Sequence, residues 1–100
     1  MNEIEKKYSQ IHGMNKGEIL NYFNCVLMFQ EEKNKQRLHI YLTQQEYIVM
    51  LNRLFNNMTQ KEVGKILNLT TQRIFQIENI VIKKLRHPSN YNLYKELKND

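Results

Sequence analysis

The sequence predicts an all-α fold, and three observations support this prediction. The 100 residues include only three glycines and one proline, too few for the tight turns of a β-rich domain. The apolar residues recur at the three- and four-residue spacing of helix faces. Threonine or asparagine stands where several of these apolar segments begin, which is where helices take their N-terminal caps. The length suits one small hydrophobic core.

Two helices are predicted in the first third of the chain. Ile4, Tyr8 and Ile11 lie at helical spacing, and Gly13 is expected to end this short helix. Residues 17–32 predict a longer helix, whose apolar face is broad enough to be buried on more than one side. Its aromatic residues are interpreted as core, with a protein-docking face as the alternative.

A polar segment divides the chain into two parts. Residues 32–37 are charged and lack periodicity, which predicts a linker. The alternating segment 37–42 is interpreted as a connection, because no partner strand is evident. We therefore expect an N-terminal helical extension, residues 1–36, and a main domain, residues 37–100.

Three further helices are predicted from residue 43 onward. Thr43 with Glu46, and Thr59 with Glu62, have the spacing of capping boxes. In such a box the hydroxyl accepts a backbone N–H bond, and the carboxylate reaches back to the cap. Thr70 caps the next and longest helix, which a proline at residue 88 follows.

Short turns separate these three helices. Asn57 is expected to end the first, since asparagine tolerates the left-handed conformation, and Asn68 forms the next turn. Gly64 lies within a helix at a cost of about 1 kcal/mol relative to alanine, which we explain by close crossing of the following helix. Two helices joined by a tight turn behind a supporting helix form a helix-turn-helix unit. The shorter helix holds the apolar residues Val63, Ile66 and Leu67, and the residues of the longer helix predicted to face inward are Ile74, Ile77, Val81, Ile82 and Leu85.

The charge distribution permits nucleic-acid binding without demanding it. The formal net charge is +5. Residues 61–100 contain eight Lys and Arg against four Asp and Glu, whereas residues 1–60 contain seven against six. The basic segment 83–87 has two interpretations, a solvated helix end or a contact with a nucleic-acid backbone.

The sequence gives no sign of catalytic chemistry. It contains no recognisable nucleophile–base pair and no phosphate-binding glycine loop, and its three histidines lie far apart. We therefore expect no enzyme activity, no cofactor and no metal site. Glu62 and Glu78 are interpreted as a cap residue and a helix-surface residue. The lone Cys25 and the lack of a membrane-length apolar segment predict a cytoplasmic protein without a membrane partner.

Longer segments of the sequence resemble region 4 of bacterial primary-type sigma factors. These segments are LTQQEYIVMLNRLF, MTQKEVGKILNLTTQRIFQIE and KKLRHPSN, and YNLYKEL resembles the short helix that ends those proteins. The QIE and KLRHP elements separate this resemblance from helix-turn-helix proteins in general. It covers roughly residues 42–97, and no counterpart of sigma region 2 is found. The chain thus looks like a free-standing region 4.

The resemblance implies a recognition helix that enters the DNA major groove at a minus-35-type element. Thr71 and Gln72 stand where the family usually has the Arg and Glu that read base edges. Gln76 and Arg73 retain the family's residue types, and Phe75 stands where a second Arg is usual. These substitutions imply either an altered target sequence or weakened DNA reading.

The resemblance also implies contacts with the DNA backbone. Arg53, Thr59 and Gln60 fall on backbone-contacting positions of the family. Lys83 and Lys84 are expected to add nonspecific positive charge. With the base-edge positions, these residues complete the predicted DNA-binding set.

These observations predict a sigma region 4-like transcription regulator that binds double-stranded promoter DNA and docks on the β flap of bacterial RNA polymerase. Residues 1–36 would complete the core or bind a second polymerase component. A separate sigma region 2-like protein would be a further partner if the chain is one part of a split factor. Two alternatives stay open: a flap-binding coactivator or decoy with little DNA reading, and a self-contained dimeric regulator with residues 17–32 at the dimer seam.

Overall fold

The computed structural model describes residues 2–31 and 41–98. Within these ranges, every regular element is a helix, which confirms the all-α prediction. The helices are α1 (Glu3–Tyr8), α2 (Lys16–Glu31), α3 (Gln44–Leu54), α4 (Gln60–Leu67), α5 (Thr71–Arg86) and α6 (Pro88–Lys98). The predicted linker and most of the predicted connection after it lie outside the described residues.

The predicted caps are confirmed. The Thr43 hydroxyl accepts a hydrogen bond from the Glu46 backbone N–H, and the Glu46 carboxylate accepts one from the Thr43 N–H. The same reciprocal pair starts α4, and Thr70 accepts from the Arg73 N–H at the start of α5. Each box satisfies two backbone donors that a helix start would otherwise leave unpaired.

The turns of the helix-turn-helix unit also follow the prediction. Asn57 and Asn68 have φ angles of 53° and 57°, in the left-handed region. A Cβ on Gly64 would lie 2.5 Å from the Leu69 carbonyl oxygen. The close approach that requires glycine is therefore made by the turn backbone, and not by the following helix as we expected.

One hydrophobic core joins the first two helices to the rest. Tyr22 and Phe23 of α2 are fully buried, and the Tyr22 hydroxyl donates to the Leu85 carbonyl oxygen over 2.6 Å. This confirms the core interpretation of the aromatic residues in α2. The five residues of α5 predicted to face inward are all buried: Ile74, Ile77, Val81, Ile82 and Leu85. The boundary between the two predicted parts falls outside the described residues and stays a prediction.

One prediction of local structure is wrong, and one apolar residue of α4 lies at the surface. The first helix ends at Tyr8, and Ile11 is buried in the turns that lead to Gly13. Ile66 is 56% exposed. Its helix has only two turns, and the packed face runs through Val63 and the glycine beside it, so that the side chain at 66 lies off that face. None of the described helices has the length and hydropathy to span a membrane.

Candidate DNA-binding surface

The first two turns of α5 present a polar face to solvent. Thr71, Gln72 and Gln76 are exposed, while Ile74 behind them is fully buried. Phe75 lies on the same outer face with 48% of its surface exposed. Residues three and four positions apart share one side of a helix, so these side chains form a continuous surface. Thr71, Gln72 and Gln76 are left exposed by residues 2–31, whereas Lys7 of α1 lies over the Phe75 ring.

Two of the exposed side chains touch one another. The Arg73 guanidinium donates to the Gln76 amide oxygen over 3.4 Å, at the long end of the hydrogen-bond range. A contact this long between exposed groups costs little to exchange for a bond to another molecule. Both side chains are therefore available to a ligand on this face.

Behind the face, Glu78 is the centre of a buried polar network. Its carboxylate is fully buried and accepts hydrogen bonds from the Tyr8 hydroxyl at 2.6 Å and the Gln60 amide at 2.9 Å. The Arg53 Nε lies 3.0 Å from Oε2, and the Lys7 Nζ lies 3.6 Å from Oε1. Our expectation of a helix-surface residue was wrong, because position 78 follows the inward face one turn after residue 74.

The network keeps this carboxyl group ionised. Burial opposes the charged form of Glu78, but the hydrogen bonds from Tyr8 and Gln60 and the adjacent Arg53 guanidinium outweigh it, so its pKa is lowered. Burial, followed by the neighbouring charge of Glu78, raises the pKa of the Tyr8 hydroxyl well above its ordinary value. A carboxylate in this position is tolerated because each of its oxygens has partners.

Two residues predicted to contact the DNA backbone point into this network. Arg53 also donates through Nη1 to the Met58 carbonyl oxygen at 2.8 Å, and only 11% of its side chain is exposed. The Gln60 amide is directed at Glu78. Thr59 is exposed, with its hydroxyl in the capping box of α4. The start of α4 therefore offers helix N–H groups and dipole, while Arg53 holds the helices together.

At the basic end of α5, one cation is held by other residues of the fold and two are exposed. Lys84 forms an ion pair with Glu46 at 2.8 Å and donates to the Tyr41 carbonyl oxygen at 2.7 Å. Its ammonium group therefore links the end of α5 to the start of α3. Lys83 and Arg86 are exposed.

Sequence reasoning missed Lys7 and Tyr8, which reach α5 from α1. The Lys7 ammonium lies 4.5 Å from the centre of the Phe75 ring. Nothing local in the sequence signals these contacts, because the partners are about 70 residues apart. Across residues 2–31 and 41–98, no three His, Cys, Asp or Glu side chains are grouped so that they could hold a metal ion.

The comparisons with known proteins agree with this geometry. The family model described as sigma-70, region 4 matches residues 41–87, the span of α3, α4 and α5. RNA polymerase sigma factor SigA of Microcystis aeruginosa and that of Synechocystis sp. are each 47% identical over 38 residues. Each match covers 38% of this chain and 9% of the relative, so the chain corresponds to a small part of those proteins. No solved structure matches significantly.

The matched residues coincide with the helix-turn-helix unit and the exposed face of α5. The capping boxes, the left-handed turn at Asn68 and the QIE segment all lie inside the match. Residues 41–87 therefore form a helix-turn-helix unit that is similar to region 4 of sigma-70 factors.

Proposed function

We propose that this protein is a transcription regulator that binds a minus-35-type element of double-stranded promoter DNA together with bacterial RNA polymerase. The observation that carries the proposal is the exposure of Thr71, Gln72 and Gln76 on the leading turns of a helix whose other side is anchored in the core. A helix-turn-helix protein reads DNA with this part of its second helix. The relatives to which the chain is similar are named RNA polymerase sigma factors.

The chemistry of the exposed face suits base reading. A glutamine amide can form two hydrogen bonds with adenine in the major groove, which makes Gln76 the main candidate reader. The Phe75 ring can contact a thymine methyl group. An AT-containing target fits this pair of side chains better than a guanine-rich one, for which arginine is the usual reader.

Backbone contacts come from the edges of the surface. The N-terminus of α4 beside Thr59 directs N–H groups and positive dipole at a phosphate. Lys83 and Arg86 are exposed cations on the last turns of α5. They suit nonspecific phosphate contacts better than Lys84, whose ammonium is held by Glu46.

The proposal also includes specific contacts with RNA polymerase. Docking on the β flap would place the domain over the promoter, and a separate sigma region 2-like protein would supply promoter melting. This role belongs in the bacterial cytoplasm, where polymerase and DNA meet. The alternative of a dimer through residues 17–32 loses support, because most of the apolar face of α2 is buried against the chain's own core.

A selection from a random pool of DNA duplexes, with and without purified RNA polymerase, tests the proposal. The bound duplexes should share a short motif, and the same motif should direct transcription when polymerase is added. Binding should weaken steeply as salt rises. Recovery of random sequences in both arms would contradict the proposal.

A second function is favoured by exposed apolar side chains on the same unit. Ile66 is 56% exposed and Ile80 is 38% exposed, which suits contact with protein better than contact with phosphate. A flap-binding coactivator or decoy would bind polymerase and give no duplex binding of its own. The polymerase-free arm of the selection separates the two functions.

A further inference from the structure

Helix α1, which lies outside the region 4-like domain, brings a cation to the rim of the recognition helix. The Lys7 ammonium lies 4.5 Å from the centre of the Phe75 ring and 3.6 Å from Glu78 Oε1. About a fifth of its side chain remains exposed. The electrons of an aromatic face attract a cation in this position.

The position of Lys7 coincides with the seam between the two helices of the helix-turn-helix unit. Glu78 Oε1 also accepts the hydrogen bond from Gln60, at the start of α4. Lys7 therefore lies between the N-terminus of α4 and the outer face of α5. In a docked helix-turn-helix unit, the first helix crosses the DNA backbone while the second enters the groove. This seam is where a phosphate would pass.

The charges around Lys7 do not neutralise its ammonium group, which can therefore bind an anion. The single negative charge of Glu78 faces two positive charges, and the closer one is Arg53, which is more deeply buried than Lys7. The cluster of these three side chains thus carries one positive charge in excess. The neighbouring outer face of α5 has no charge at residues 71, 72, 75 or 76.

We propose that Lys7 is a DNA-binding residue, which contributes a phosphate contact beside the recognition helix. This inference rests on the proposed function, and it gives the N-terminal extension a share in DNA binding. Loss of the Lys7 charge should leave the fold intact. Glu78 keeps its hydrogen bonds from Tyr8 and Gln60 and its pair with Arg53.

Salt-dependent binding of a fluorescein-labelled, mixed-sequence duplex about two helical turns long tests the proposal. A phosphate contact needs no particular base sequence, so the promoter need not be known. Lys7→Gln should reduce the steepness of log affinity against log salt by about 0.9, and weaken binding by roughly tenfold near ~50 mM salt. Lys7→Arg should retain the wild-type slope.

Lys6→Gln is the matched control. Lys6 is exposed on the same short helix, and its substitution changes the net charge by the same amount. It should leave the slope unchanged. Equal effects of the two substitutions would overturn the inference in favour of a general charge effect. So would an unchanged slope for a folded Lys7→Gln protein, or loss of its helical circular dichroism. If wild-type protein bound no duplex, the proposed function would fail, and the role of Lys7 with it.

Discussion

Two regions of this molecule each contain a buried glutamate, and they differ in where its partners come from. Glu46 at the start of α3 caps its own helix through Thr43 and receives Lys84 from the end of α5. Glu78 lies in the middle of α5, and the side chains described as binding its carboxylate all belong to other helices. Its contacts come from α1, α3 and α4.

The two glutamates therefore stabilise different parts of the fold. The contacts of Glu46 secure one helix start and tie it to the end of α5, and Lys84 keeps about a quarter of its side chain exposed. The network at Glu78 joins three other helices to α5, directly behind the exposed face that we propose reads DNA. Orientation of that face should therefore depend on Glu78 much more than on Glu46.

The largest expected effect is that of Arg53→Ala. Removing the guanidinium leaves a buried carboxylate without its closest charge partner, which costs about 3–5 kcal/mol in the free energy of unfolding. Urea denaturation followed by circular dichroism measures it. Arg73→Ala, at an exposed arginine of α5, should change stability by no more than about 0.5 kcal/mol.

A double substitution sharpens this prediction. Arg53→Met with Glu78→Leu replaces both charges by apolar groups, and should recover much of the lost stability. If Arg53→Ala were no more destabilising than Arg73→Ala, the network would not hold the helices together.

Acid should destabilise the protein through Glu78. The folded-state pKa of this carboxyl group is lowered from the ordinary value of 4.5. Its contribution is therefore fully present above that value and is lost as the pH falls through the lower, folded-state pKa. Denaturation midpoints measured between neutral and acidic pH should fall, and Glu78→Gln should flatten that fall.

The exposed capping residue Glu62 provides the comparison for this pH dependence. Its pKa is also lowered, by hydrogen bonds from Thr59. Glu62→Gln should flatten the acid dependence less than Glu78→Gln does, because solvent screens an exposed group. An equal effect of the two substitutions would contradict the central place of Glu78.

Lys84→Ala should have a smaller effect on stability, about 1 kcal/mol, because Lys84 is partly exposed and Glu46 keeps its capping-box hydrogen bond. Thermal unfolding measures it. Lys83→Ala is the matched control next to it, and should leave stability unchanged while weakening binding to all duplexes. Equal destabilisation by the two substitutions would mean that the Lys84 pair contributes nothing.

The same contrast explains what could be predicted from the sequence. The capping boxes and the Asn68 turn connect residues at most a few positions apart, so their residue types and spacing specify them. The exposure of the outer face of α5 followed from helical periodicity and from a family resemblance. The Glu78 network could not be predicted, because it depends on where α1 packs. The exposure of Ile66 could not be predicted either, because a two-turn helix gives too short a periodic pattern to define its buried face.

The smallest effect on stability is expected for Gln76→Ala, because this exposed side chain has no role in the core. The substitution should change the free energy of unfolding by no more than about 0.5 kcal/mol. It should nevertheless remove about 1–3 kcal/mol of discrimination at one base pair, measured by competition between the selected duplex and variants altered at single positions. Gln45→Ala, at an exposed glutamine of α3, should alter neither quantity. A loss of stability without a loss of discrimination would place Gln76 with the scaffold around Glu78, and would leave α5 without its main base-reading residue.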